Sequence, residues 1–159
     1  MPTTLTLRCA APEDTRALGS AVASLLRAGD VVALSGELGA GKTCFVQGTA
    51  AGLDVTDPIT SPTFVLVKLY EGRLPLVHCD VYRLETLRDV QDLGDEVLAP
   101  DAVTCIEWGD AITPLLPEDR LEVELVHGED GVRIVELRGH GSRWADVDGS
   151  LSEVCEPWR

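Results

Sequence analysis

Gly36-Glu37-Leu38-Gly39-Ala40-Gly41-Lys42-Thr43 is the stretch on which the reading of this chain turns. It satisfies GxxxxGK[ST], and its surroundings are those the pattern needs. The apolar run Val31, Val32, Ala33 and Leu34 predicts a buried strand before it, and a helix is predicted after it over roughly residues 42 to 52, ended near Gly52. In such a unit the glycines let backbone N–H groups turn inward around phosphate oxygens, and the positive end of the following helix adds to the attraction. Gly36, Gly39, Ala40, Gly41, Lys42, Thr43 and Cys44 are therefore the candidate nucleotide contacts. Lys42 would reach the β and γ phosphates, and the Thr43 hydroxyl would bind magnesium. The chain has only two lysines, Lys42 and Lys68, so a lysine falls at this place by chance less readily than in a lysine-rich protein.

Working outward, Pro12 followed by Glu13 and Asp14 opens a helix. Leu18, Val22, Leu25 and Leu26 share one face of it, and Gly29 ends it. Residues 54 to 63 are rich in Asp, Thr and Pro and read as an irregular loop. Phe64 to Tyr70 and Leu74 to Val81 flank Glu71, Gly72 and Arg73 as a hairpin, and Leu121 to Val126 with Val132 to Leu137 form another. Ala102 to Ile106 is a core strand. Arg83 to Leu98 is polar and helical in pieces, and residues 141 to 159 lack periodicity and read as a tail. No repeat or linker divides the chain, so residues 1–140 read as one domain. Hairpins imply antiparallel pairs and the strand–loop–helix unit a parallel core. The expected fold is α/β, a mixed sheet of the P-loop NTPase kind flanked by helices in three layers.

A magnesium ion held through one hydroxyl also needs carboxylates, usually at the end of a neighbouring core strand. Two apolar runs end in an acid: Leu76 to Cys79 precede Asp80, and Val103 to Ile106 precede Glu107. Either acid is a candidate for the metal, and the other for orienting an attacking water. The plainer alternative for each is a solvated carboxylate at a strand end. Ser61 and Thr63 sit where nucleotide-dependent switch segments lie, though they also suit a turn around Pro62. His78 reads equally well as a core histidine, Trp108 as a core residue or a contact surface, and Arg83 as a partner for a carboxylate or a phosphate.

Length and composition bound these readings. With 159 residues, 45% of them hydrophobic and 25% charged, the chain suits one self-sufficient domain. Its 13 Lys and Arg against 27 Asp and Glu leave a net charge of −14, a field that repels nucleic acid and anionic membranes. Cys9, Cys44, Cys79, Cys105 and Cys155 are odd in number and without CxxC spacing, which predicts reduced thiols and no zinc site. Residues 1 to 20 lack an apolar leader core, and no run approaches the ~18 apolar residues of a membrane span. A cytoplasmic protein is expected.

The order of the motifs resembles that of the TsaE (YjeE) family. The matching pieces are Thr15, Leu18 and Gly19, GELGAGKT at 36 to 43, SPTF at 61 to 64, HCDVYRL at 78 to 84 and IEW at 106 to 108, together spanning residues 15 to 108. The resemblance implies a magnesium-dependent ATPase that is weak alone. It would act on the TsaD and TsaB proteins, which carry threonylcarbamoyl onto adenosine 37 of tRNAs reading codons that begin with A. It would meet tRNA only through that complex. Carried over by position, Lys42 and Thr43 contact phosphate and metal, Asp80 and Glu107 hold metal and water, and Trp108 belongs near the nucleotide. SPTF and HCDVYR would be switch-like. Cys44 stands where a second Thr is common, Val81 replaces the usual Leu, and Asp110 occupies a place often taken by Glu.

Two rival readings share the loop. A small-molecule kinase needs a lid with arginines over the phosphates, for which only Arg83 and Arg88 are placed. A nucleotide-sensing module would bind ATP without hydrolysing it.

Overall fold

The apolar runs and alternations become one sheet. The computed structural model describes residues 3–37, 39–59, 67–80, 99–107, 113–114 and 116–159. Strands run at Thr3–Cys9 (β1), Val31–Gly36 (β2), Val67–Tyr70 (β3), Leu76–Asp80 (β4), Val103–Glu107 (β5), Arg120–His127 (β6) and Arg133–His140 (β7). Helices run at Pro12–Ala23 (α1), Lys42–Gly52 (α2), Gly141–Asp146 (α3) and Asp148–Val154 (α4). The strand order β1-β7-β6-β2-β5-β4-β3 puts β2, the strand that enters the loop 36–43, in the middle.

β2 is parallel to both β5 and β6, and β5 is parallel to β4, while the β3–β4, β6–β7 and β1–β7 pairs are antiparallel. The mixed α/β sheet expected from the sequence is therefore present, with both hairpins in place. Register assigns the faces. Asp80 lies beside Glu107 and Glu107 beside Leu34, so these three residues point to one side. That side also carries Val32, Leu121, Val123, Leu125, Val135, Leu137, Leu5 and Leu7, which pack with Leu18 and Val22 of α1 and with Phe45 and Val46 of α2. On the other side Val31, Ala33, Val77, Cys79 and Ile106 are buried too. The parallel strands are thus covered on both faces, as a three-layer α/β protein requires.

Two sequence expectations change. The first helix stops at Ala23 rather than Gly29, because the N–H groups of Ser24, Leu25 and Leu26 bond the carbonyls three residues back (3.2, 3.0 and 3.1 Å) and tighten the chain out of the α-helix. Leu26 still reaches the core, 4% exposed, from this tightened turn. The second concerns residues 141–159, which are folded rather than a loose tail. α3 and α4 bring Trp144, Leu151 and Cys155 into the core at 1%, 1% and 0% exposure. Trp144 fits because Gly139 beneath it has no side chain: a Cβ there would stand 2.8 Å from the Trp144 Cβ.

Arg143 fixes this segment to the start of β2. Its Nε donates to Asp30 Oδ1 (3.1 Å), and its Nη2 to Asp30 Oδ2 (2.9 Å) and to the Leu25 carbonyl (2.5 Å). Helices of 6 and 7 residues are too short to show a hydrophobic period in the sequence. β1, a further strand that the sequence reading passed over, closes the β7 edge.

Candidate phosphate and metal site

β2 delivers Gly36 to the carboxyl edge of the sheet, between β5 and β6, and the chain then turns tightly, with the Ala40 N–H bonding the Glu37 carbonyl at 3.0 Å. Gly41, at φ +108°, caps α2 in a left-handed conformation that favours glycine. Its carbonyl takes the first helical bond, from the Phe45 N–H at 3.0 Å. The N–H groups of Thr43 and Cys44 in the first turn have no acceptor further back in the helix, and they contribute to the positive end of its dipole. Lys42 is 5% exposed and turns back over the loop, its Nζ donating to the carbonyls of Gly36 (2.8 Å) and Glu37 (3.0 Å).

The two predicted acids meet here. They end adjacent parallel strands in direct register and face α2, with Asp80 9% and Glu107 3% exposed. Thr43 Oγ1, in the first turn of α2, donates to Glu107 Oε1 at 3.4 Å. Donation uses the hydroxyl proton and leaves the oxygen lone pairs for a cation. The donors are one hydroxyl and two carboxylates, hard oxygens of the kind Mg2+ accepts when phosphates and waters complete its shell. Among the described residues no group of three His, Cys, Asp or Glu gathers to hold a metal by protein ligands alone.

The other Glu107 oxygen, Oε2, lies 2.5 Å from His78 Nε2, a contact the sequence reading did not anticipate. His78 sits two residues before Asp80 on the same face of β4, fully buried. Burial pushes the thiols of Cys79 and Cys105 up to about 12, and the adjoining Asp80 and Glu107 respectively push the same way. Both thiols are neutral at ordinary pH and add no charge at these strand ends.

Cys44 is half-buried beside the loop, and Arg16 Nη1 donates to its Sγ at 3.7 Å. A cavity of about 100 Å3 opens there between Thr15, Gly39, Gly41, Cys44, Gly131 and Arg133. Gly131 and Arg133 come from the β6–β7 turn, and nothing in the sequence around them signals that they border the loop. Ser61, Thr63 and Trp108, together with Arg83, Arg88 and Asp110, lie outside the described residues.

The family model of TsaE, "Threonylcarbamoyl adenosine biosynthesis protein TsaE", matches residues 9–135 of this chain. The chain belongs to the TsaE family. The match runs beyond the sequence motifs at both ends, taking in the end of β1, β6 and part of β7. A tRNA threonylcarbamoyladenosine biosynthesis protein TsaE of Treponema pallidum is 46% identical over 130 residues, covering 80% of this chain and 96% of the relative. TsaE of Bacillus subtilis is 40% identical over 143 residues, 89% of each chain. The crystal structure of Bacillus subtilis YdiB superposes with a TM-score of 0.79 at 36% identity, covering 96% of this chain and 97% of that one. The shared fold therefore takes in most of the C-terminal segment that the sequence motifs did not reach. As for membranes, no helix among the described residues is long and apolar enough to cross one.

Proposed function

We propose that this TsaE-family chain binds ATP with Mg2+ in the loop 36–43 and hydrolyses it in support of tRNA threonylcarbamoyladenosine formation, acting in the cytoplasm on a TsaD–TsaB complex. The observation that carries the reading is the meeting of Thr43 with Glu107, in register with Asp80, at the mouth of the loop. The backbone N–H groups of the loop and the Lys42 ammonium would take the phosphate oxygens, neutralising charge that grows on the leaving group. Thr43 and the carboxylates would hold Mg2+, directly or through water, and the ion's part is to draw charge from the phosphates. Of the two acids, Glu107 is the candidate for accepting a proton from the attacking water, since its Oε1 already faces the loop. A net charge of −14 suits a protein that leaves tRNA contact to its partners.

The test is capture of TsaD and TsaB by the immobilised chain with ATP and then with ADP, beside ATP turnover with and without the partners. Capture that differs between the nucleotides, together with slow magnesium-dependent turnover by the chain alone, is the expected result. Lys42→Ala should abolish both nucleotide binding and the difference in capture. Capture indifferent to nucleotide would sink the accessory role. Stoichiometric phosphorylation of a metabolite would put a kinase in its place, and binding without turnover a nucleotide-sensing module.

A further inference from the structure

His78 is an unusual residue to find where it lies. It is fully buried in β4, between Val77 and Cys79, both 0% exposed. Its Nδ1 is buried without a hydrogen-bond partner among the described residues. A buried polar atom left unpaired is unfavourable, and an apolar side chain in this strand would avoid that cost. What the imidazole gains is one contact, 2.5 Å from Nε2 to Glu107 Oε2.

That contact divides the carboxylate. Oε2 faces the imidazole in the interior, and Oε1 faces Thr43 at the mouth of the loop. A carboxylate gripped at one oxygen cannot rotate freely about its last torsion, nor can it turn both oxygens outward. We propose that His78 is a positioning residue for Glu107. By donating from Nε2 to Oε2 it presents Oε1 alone to the loop. The proposal rests on the ATPase reading of the site and adds to it the residue that aims its carboxylate. In that arrangement the proton sits on Nε2 and Nδ1 is left a bare acceptor, a cost that the contact with Glu107 offsets.

Three substitutions of His78 separate aiming from packing. Glutamine places its amide nitrogen where Nε2 stands, asparagine places it nearer Nδ1, and leucine fills the space without a donor. Outer partners of metal-site ligands commonly contribute about 10- to 100-fold in metal affinity or rate. His78→Leu should therefore lower kcat at saturating Mg2+ at least about tenfold, with metal-free ADP affinity unchanged. His78→Gln should stay within about threefold of the parent, and His78→Asn should follow leucine. Mn2+ titrated into the ADP complex and followed by electron paramagnetic resonance should show about tenfold weaker binding in the leucine and asparagine variants, but parent affinity in glutamine. In a Glu107→Gln background none of the three should have a further effect, because residues acting as one unit are non-additive.

Equal kcat and equal Mn2+ affinity for glutamine and asparagine would overturn the proposal, and so would additive losses in the Glu107→Gln background. If leucine prevents folding, the glutamine and asparagine pair decides alone. A parent chain that never turns over ATP would sink the proposed function, yet the Mn2+ series would still decide whether His78 aims Glu107.

Discussion

Two buried carboxylates, at opposite edges of the same sheet, have been given different company. Asp30 precedes β2 and is saturated: the Arg143 guanidinium engages both its oxygens, and the Arg27 N–H adds a bond to Oδ2 at 2.8 Å. Glu107, at the far end of β5, takes one imidazole and one hydroxyl at 2.5 and 3.4 Å, and its Oε1 faces the loop 36–43. Burial is nearly the same, 6% for Asp30 and 3% for Glu107. The difference lies in the partners. A carboxylate matched bidentately by arginine has its charge answered within the fold and holds elements together. Glu107, met among the described residues by one imidazole and one hydroxyl, keeps an oxygen at the mouth of the loop, where the proposed cation would sit.

The largest effect that would sharpen this contrast is on stability at the Asp30 end. Arg143→Ala leaves Asp30 buried and unpaired, a loss of about 3–5 kcal/mol for a broken buried pair. In a domain of this size that lowers Tm by roughly 10 °C or more. Thermal melts check it, and nucleotide affinity measured well below the new Tm should match the parent. A loss of affinity would mean that the two edges are not independent.

Next in size, Glu107→Ala should leave nucleotide binding largely intact while slowing hydrolysis by about 100-fold, equivalent to about 2.7 kcal/mol in the barrier. Single-turnover kinetics measure it, and hydrolysis at the parent rate would make Glu107 as structural as Asp30. The smallest effect involves the thiols beside the acids. Cys79 and Cys105 titrate near 12 in the folded chain against 9.0 when free, so between those pH values the folded state holds more protons than the unfolded one. The stability these thiols contribute is therefore constant well below pH 9 and falls as pH rises through it, by about 1.4 kcal/mol for each thiol at pH 10. Denaturant midpoints at pH 8 and 10 test this, and Cys79→Ala with Cys105→Ala should flatten the slope.

How much of this was legible beforehand follows from the range of each interaction. The loop 36–43 and the helix after it were readable because their geometry is local: a left-handed glycine, a tight turn and a helix start are decided within eight residues. β4, β5 and both hairpins showed themselves through apolar runs and turn residues, and with them Asp80 and Glu107 as strand-end acids. α3 and α4 were hidden because Trp144 and Leu151 are single anchors on very short helices, and a single anchor has no period. His78 was left between core and function because its partner stands 29 residues away on another strand.

The sequence by itself thus determined the glycine-rich loop 36–43, the strands on either side of it and the acids that end them, since backbone stereochemistry and hydrophobic period act between near neighbours. Only the tertiary structure decided that Asp80 and Glu107 lie side by side, that His78 grips one Glu107 oxygen, and that Arg143 reaches 113 residues back to Asp30. Those contacts depend on strand order and register, which the whole core fixes at once and no short segment can specify.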